Sequence, residues 1–425
     1  MDLVDSNLTR VLSVYNREVS GNAALARKGI PDRQSRKQFI EAALHERRAK
    51  GLPADAAQRQ YLEEVFTYFD SGPVGGGVDV NVSRAKRITN LALLNQMGMT
   101  QMGETGAQIA AVGMETWQKH AKTVLNEMRT QGPDGPIAKE LRPWMGDIGN
   151  EHMLFRDDLM LDELKDATDL NTFMGKLDFA LGKGQRLQGY ASGFFHVRAF
   201  QQKVAVISMA DKVFQRIRNG ETDMVAEALG MDTFTLSKYI DSGDVEFDAD
   251  GFVTKLNMAN WADVDAEDFA LALNRHTHQV VQKAMAGEEN VWMHKTVGSL
   301  LTHLKSFPLT AIRKQSIRVA TGHTPTAVAT LLMGLATAGL AYEARQLING
   351  RTDRISGEDA IKGAMGMSNM TGWVPMLVDP AAAMLGMNDL RFNQYGRHDI
   401  STGVVPTPPV IPTLNKMLQA GGAIN

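Results

Sequence analysis

The sequence AFQQKVAVISMADKVFQRIR, at residues 199–218, decides the fold class of this chain. Its large apolar side chains recur every three or four residues, a spacing that puts them on one face of an α-helix. That face comprises Phe200, Val204, Ile207, Ala210, Phe214 and Ile217. The polar residues Gln202, Asp211, Lys212 and Arg216 fall outside it. The stretch therefore predicts an amphipathic helix with one packed face.

Helical spacing continues through the N-terminal part of the chain. Helices are predicted from about Asn7 to Lys28, from Asp32 to Lys50 and from Pro53 to Asp70, because each block ends at a glycine or at a Ser-Gly-Pro stop. A further long amphipathic helix is predicted from Val82 onward.

A strand signal is convincing in one place. Val245-Glu246-Phe247 and Phe252-Val253-Thr254 alternate on either side of a short acidic turn, which favours a β-hairpin. We therefore predict a mainly α fold with many helices, arranged as elongated, bundle-like subdomains, and with at most one small β-hairpin.

Changes in composition divide the chain into five predicted segments. The glycine run at 74–78 favours a linker, and the Gly/Pro-rich loop at 131–136 favours a second boundary. The predicted segments are an N-terminal helical subdomain at 1–73, long amphipathic helices at 78–131, a central helical subdomain at 137–290 with the hairpin near 245–254, cationic and apolar helices at 291–350, and a Gly/Met-rich region with a Pro-bearing tail at 351–425.

Composition excludes several classes of site. The 425 residues exceed the length at which a single hydrophobic core stops growing, so several subdomains are expected. The 45 basic and 48 acidic residues give a net charge of −3, so any contact with DNA must be local. The chain has no cysteine, which excludes disulfides, thiol nucleophiles and cysteine-based metal centres.

Three motifs resemble metal sites, but each lacks a ligand that the metal requires. HERRA at 45–49 begins like a zinc-protease helix and has alanine where the second histidine belongs. His276 and His278 are two residues apart, so on a helix they point in nearly opposite directions. The loop at 246–257 matches the first half of a calcium loop but ends in Asn257 instead of glutamate. No phosphate-binding or serine-hydrolase motif is present, so we expect no catalytic, cofactor-binding or metal-binding residue and no enzymatic activity.

A cationic stretch in the last third of the chain is the first candidate contact region. No acidic residue occurs between Asn290 and Tyr342, whereas five basic residues do. Three interpretations are open: contact with anionic lipid, contact with DNA along a channel wall, or a solvated helical face. The candidate residues for membrane or DNA contact here are Lys305, Phe307, Pro308, Arg313, Lys314 and Arg318.

The uncharged run that follows is the second candidate, a membrane segment at 326–342. Thr330, Gly334 and Ala338 repeat every four residues, which puts small side chains along one edge of a helix and allows close approach of another helix. Leu335 and its leucine neighbours are expected to face lipid or a neighbouring core. The alternative is a buried core helix, since a run of this length is short for a bilayer span.

Three stretches resemble one protein family. They are YNREVSGNAALARKGI at 15–30, RITNLALLNQMGMTQMGETG at 87–106 and SLLTHLKSFPL at 299–309. In this order they resemble the C-terminal part of the large internal virion protein of short-tailed phages, over residues 8–320. Many members of that family also carry a lytic transglycosylase domain, for which this sequence shows no convincing motif.

The resemblance implies a function in genome delivery. Members of the family lie in the virion interior, leave ahead of the genome, and help to build a conduit through the host periplasm and inner membrane. The implied partners are other internal core proteins, further copies of the same chain, the portal or tail complex, the phage DNA and the host inner membrane. Two alternatives stay open: a peptidoglycan-degrading virion enzyme, and a purely structural helical scaffold inside the capsid.

Overall fold

The computed structural model describes residues 19, 22, 23, 25–27, 29–71, 80–93, 101–130, 135–145, 173–221, 231–281, 293, 325–351, 357–368, 371, 374–387, 390 and 392. Within them the helices are α1 (Arg33–Ala49), α2 (Ala56–Ser71), α3 (Val80–Leu93), α4 (Thr105–Val112), α5 (Met114–Thr130), α6 (Pro136–Met145), α7 (Phe173–Ala191), α8 (Phe194–Arg218), α9 (Thr233–Asp241), α10 (Asp263–Val280), α11 (Pro325–Ile348), α12 (Gly357–Met367) and α13 (Val374–Met384). Two strands, β1 (Glu246–Phe247) and β2 (Val253–Lys255), form an antiparallel pair. The predicted mainly α fold with one small hairpin is confirmed. The division into five segments stays a prediction, and its linker at 74–78 lies outside the described residues.

Local signals explain where the N-terminal helices begin and end. The Asp32 carboxylate accepts a hydrogen bond from the backbone N–H of Ser35, whose hydroxyl accepts one from the N–H of Asp32. This capping box satisfies two N–H groups at the start of α1. Gly51, with a φ of +68°, ends it. α1 packs on α2 through Phe39 and Phe66, whose ring centroids lie 5.8 Å apart, edge to face.

α8 is the central element, and it is longer and more buried than its sequence pattern predicts. It covers 25 residues from Phe194 to Arg218. The predicted apolar face is present, with Val204, Ala210 and Phe214 fully buried. Gln202 and Asp211, predicted to lie outside that face, are buried as well, at 3% and 0% exposure. The expectation of a helix with a single packed face is therefore wrong, because α4, α5, α9 and α10 all pack around α8.

The main hydrophobic core lies around α8. It comprises apolar side chains of α5, α6, α8, α9, α10 and the hairpin, and we call these elements together the core lobe. Trp261 lies in the middle of its aromatic cluster, stacked on Tyr239 at 4.3 Å and in contact with Phe214 and Phe269. The Trp261 Nε1–H donates to the Leu256 carbonyl, so the buried indole is satisfied.

Three helices near the C-terminus form a second packing unit, which we call the C-terminal lobe: α11, α12 and α13. α11 packs against α12, and α12 contacts α13. α4 connects the two lobes, because it packs on α11 and also on α8 and α10. Separately, α3 packs on α7, where the Arg84 guanidinium donates two 2.8 Å hydrogen bonds to Asp178.

Candidate functional site: the apolar helix α11

α11 contains the apolar run that the sequence marks as a candidate membrane segment. The helix begins at Pro325, a residue suited to the first helical turn. It ends at Ile348, two residues before Gly350, whose φ is +68°. The run at 326–342 is therefore helical, and α11 extends six residues beyond it. In the part of the chain that the structure describes, no helix is both long enough and apolar enough to cross a bilayer.

One of the predicted small residues of α11, Gly334, lies where this helix crosses α4. Gly334 is buried and Ala338 has no exposed surface, whereas Thr330 is partly exposed. A Cβ added to Gly106 of α4 would lie 2.6 Å from the Cα of Gly334, and closer still to the Met333 carbonyl oxygen. The two backbones therefore touch, as the spacing of small residues predicts. The partner helix belongs to the same chain.

A threonine hydroxyl reinforces this crossing. Thr337 Oγ1 lies 3.1 Å from the Gly103 carbonyl oxygen, just before α4, and 2.9 Å from the Met333 carbonyl within its own helix. The hydroxyl can donate to the first carbonyl and so connect α11 to the chain entering α4.

The C-terminal half of α11 packs against α12. Ala338, Ala341 and Tyr342 form a small cluster with Met367. A Cβ on Gly363 would lie 2.5 Å from the Tyr342 ring, so only glycine fits under that ring. Burial lowers the pKa of the nearby Arg345, and the charge of Arg351 acts in the same direction.

The opposite face of α11 is apolar and open. Val328, Leu332, Leu340 and Leu347 keep 58–66% of their surface exposed, whereas Leu335 is half-buried. The leucines of this helix, predicted to face a neighbouring core or lipid, therefore differ in burial. Leu335 is half-buried, whereas Leu332 is exposed. The candidate contact residues of the cationic stretch lie outside the described residues. They are Lys305, Phe307, Pro308, Arg313, Lys314 and Arg318.

The acidic hairpin loop resembles the first half of a calcium loop in sequence. In the structure its Asp248 carboxylate accepts hydrogen bonds from protein groups. Asp248 accepts from Lys119 Nζ at 2.5 Å and from the backbone N–H groups of Asp250 and Phe252. Lys119 holds the pKa of Asp248 below its ordinary value. The Asn257 amide and then Lys255 lower the pKa of Glu246. Among the described residues, no group of three or more His, Asp or Glu side chains could hold a metal ion.

Sequence reasoning missed a buried ionisable pair in the core lobe. His120 Nε2 lies 2.6 Å from Asp211 Oδ2, and the side chains are 7% and 0% exposed. Asp211 Oδ1 accepts from the Val253 N–H at 2.8 Å and from Gln215 Nε2 at 3.0 Å. One carboxylate thus joins α5, α8 and β2.

A layer of buried amide side chains between α4 and α8 was also missed. Gln201 Nε2 donates to the Gln101 carbonyl at 2.8 Å and to Thr105 Oγ1 at 3.1 Å. Trp117 Nε1 donates to Gln108 Oε1 at 3.3 Å. The stretch at 204–210 on α8 is apolar except for Ser208 and covers every side of the helix over nearly two turns. This pattern is the signal in the sequence that the polar neighbours are buried too.

These observations identify two features of the structure. One is the buried hydrogen-bond network around Asp211 in the core lobe, and the other is the apolar helix α11, which has one packed face and one exposed face. Comparison with known proteins found no matching family model, no similar curated protein and no similar solved structure.

Proposed function

We propose that this chain is an internal virion protein of the type that its sequence resembles. It is stored in the virion interior, leaves ahead of the phage genome, and forms with partners a conduit across the host periplasm and inner membrane through which DNA passes. The partners are other internal core proteins, further copies of this chain, the portal or tail complex, and the membrane itself.

The observation that carries this proposal is the open apolar face of α11. Five large aliphatic side chains on one helix are more than half exposed, and no charged residue occurs between Pro325 and Tyr342. Large exposed apolar surfaces on folded proteins mark sites of assembly or lipid contact. An assembly that forms only after release needs such a surface on its subunits beforehand.

Two further features support the same function. Because the chain has no cysteine, passage between reducing and oxidising compartments can neither form nor break a disulfide in it. The helices meet through glycine, at Gly106 against Gly334 and at Gly363 under Tyr342, and such contacts are lost completely when two helices separate by a few ångströms.

The alternatives predict different results in one set of assays. The purified chain is added to vesicles of phosphatidylethanolamine and phosphatidylglycerol that contain a trapped dye, with and without extracts of the virion core proteins, and separately to peptidoglycan. The conduit predicts dye release and intact peptidoglycan. Peptidoglycan cleavage that is lost on changing one carboxylate would favour the enzyme, and the absence of both activities would favour the scaffold.

A further inference from the structure

The open face of α11 has a regular pattern. Ala329, Leu332, Ala336, Leu340 and Leu347 follow one another at intervals of three, four, four and seven residues, which keeps them in one row along a helix. All five are exposed, the leucines at 60%, 66% and 58%. The row lies opposite the face that packs on α4 and α12. Alanine and leucine side chains therefore alternate over residues 329–340, on a surface that is exposed among the described residues.

The centre of the row reads the same in both directions. Leu332 and Leu340 lie four residues before and four residues after Ala336. If two copies of α11 pair antiparallel with the two-fold axis at Ala336, each Leu332 lies level with the partner's Leu340. The two Ala336 side chains then face each other and let the helices approach closely.

We propose that this row is a self-association surface, at which α11 pairs antiparallel with α11 of a second copy around a two-fold axis at Ala336. Two-fold pairs of this kind are the commonest oligomeric contact, since one patch serves both subunits. The inference specifies the self-association step of the proposed function and rests on it for its biological purpose.

Charge favours the antiparallel direction. Glu343 lies in the same row, three residues after Leu340 and four before Leu347, and is partly exposed. A parallel pair in register would bring two Glu343 carboxylates to the same level, which is unfavourable. In the antiparallel pair each Glu343 lies level with Ala329 of the other copy, where its carboxylate keeps access to water.

The exposed area suits the centre of such an interface. The row exposes three leucines, Leu332, Leu340 and Leu347, at 58–66%. Covering them would bury roughly 100–220 Å² of apolar side-chain surface on each copy, taking 60–120 Å² for one such side chain. A standard interface buries about 800 Å² per partner, a little over half of it apolar. The row thus supplies the apolar centre of an interface, and the surrounding rim must come from other residues.

Single cysteines test the arrangement directly, because the chain has none of its own. Disulfide formation requires Cβ atoms about 3.5–4.5 Å apart. Under mild copper-phenanthroline oxidation, Ala336→Cys is expected to form a covalent dimer at least tenfold faster than Leu125→Cys, a matched control 60% exposed on α5. Leu332→Cys and Leu340→Cys alone are expected to react at the control rate, since each lies about 12 Å along the axis from its own copy. A mixture of these two variants is expected to cross-link.

Two outcomes overturn the inference. Equal self-cross-linking at residues 332, 336 and 340 would indicate a parallel pair, and reaction at the control rate at all of them would indicate no pair. Light scattering provides a second readout, in which the unmodified chain is expected to be a dimer that Leu340→Glu converts to a monomer and Leu125→Glu does not. Vesicle dye release by a chain that shows no dimer would overturn this inference alone. A dimer without dye release would overturn only the conduit.

Discussion

The core lobe and the C-terminal lobe differ in what they bury and in what they leave open. In the core lobe, polar groups such as Asp211 and His120 are enclosed together with the aromatic cluster around Trp261. The C-terminal lobe buries mainly small residues such as Ala338 and Gly363. Within the described residues, ten large apolar side chains are exposed from α11 onward, compared with five in the longer core lobe. From α11 onward they are Val328, Leu332, Leu340, Leu347, Ile348, Ile361, Met384, Leu385, Met387 and Leu390. In the core lobe they are Met114, Leu125, Phe234, Val264 and Leu271.

This difference indicates two kinds of stability in one chain. Hydrogen-bonded polar groups enclosed by large side chains make the core lobe costly to open, because each unpaired group would pay its desolvation penalty. The C-terminal lobe depends on close backbone contact, as at Gly334 against Gly106, and has an exposed apolar face. We expect the core lobe to hold the fold and the C-terminal lobe to make the external contacts.

The largest expected effect is the loss of the carboxylate that joins three elements of the core lobe. Asp211→Ala leaves the buried Val253 N–H and the His120 ring without their acceptor. Losing one partner of such a buried pair costs about 3–5 kcal/mol, so the free energy of unfolding in urea is expected to fall by that amount. Asp211→Asn, which keeps an acceptor for Val253, is expected to lose less than half as much. A loss below 1 kcal/mol for the alanine variant would contradict the role of this joint.

Sequence periodicity predicted those features of the two lobes that depend only on residues close together in the sequence. The helical run at 326–342 follows from spacing alone and is confirmed, and of its predicted small-residue edge Gly334 lies against the backbone of another helix. The burial of Asp211 did not follow, because its partners His120 and Val253 are 91 and 42 residues away in sequence. A local pattern assigns a polar residue to solvent unless a distant partner is known.

The second effect concerns the crossing of α4 and α11. Gly106→Ala introduces a Cβ against the backbone of Met333 and Gly334, which cannot move aside as a side chain could. Overpacking of this kind costs about 1–3 kcal/mol. Hydrogen exchange is expected to accelerate in α11 and α12 while the amides of α8 and α10 keep their protection.

A matched substitution gives the control for this crossing. Gly184→Ala, inside α7, meets only the flexible Leu91 side chain at 3.5 Å. It is expected to leave exchange in α11 unchanged and to stabilise α7 slightly, since alanine is favoured over glycine within a helix by about 1 kcal/mol. Equal loss of protection in both lobes of the Gly106→Ala variant would show that the lobes unfold as one unit.

A smaller effect is expected from the hydroxyl at the same crossing. Thr337→Val keeps the shape of the side chain and removes the donor that lies 3.1 Å from the Gly103 carbonyl. One such hydrogen bond contributes about 0.5–1.5 kcal/mol, and α11 exchange is expected to rise by the corresponding three- to tenfold. Thr337→Ser, which retains the hydroxyl, is expected to stay close to the unmodified chain. If the two variants behave alike, packing alone holds the crossing.

The smallest effect is the response of the core lobe to acid. The pKa of Asp248 is lowered first by Lys119, and that of Asp265 first by Lys238. A carboxyl whose pKa is lowered by folding stabilises the protein fully above its unfolded pKa of about 4, and this contribution is lost as pH falls through the folded value. Stability of the core lobe should therefore decline below about pH 4.

Replacing one of these carboxylates isolates its share of the acid response. Lys119 and Asp248 are both about one-third exposed, so water screens the pair and its contribution is about 0.2–1 kcal/mol. Asp248→Asn is expected to lower the free energy of unfolding by that amount at pH 7 and by less at pH 2, because the native carboxyl takes up a proton as pH falls through its lowered pKa. Urea unfolding at the two pH values, followed by tryptophan fluorescence, to which buried Trp261 of the core lobe contributes, measures the difference. An equal loss at both would mean that Asp248 acts through its turn hydrogen bonds to Asp250 and Phe252, and not through its charge.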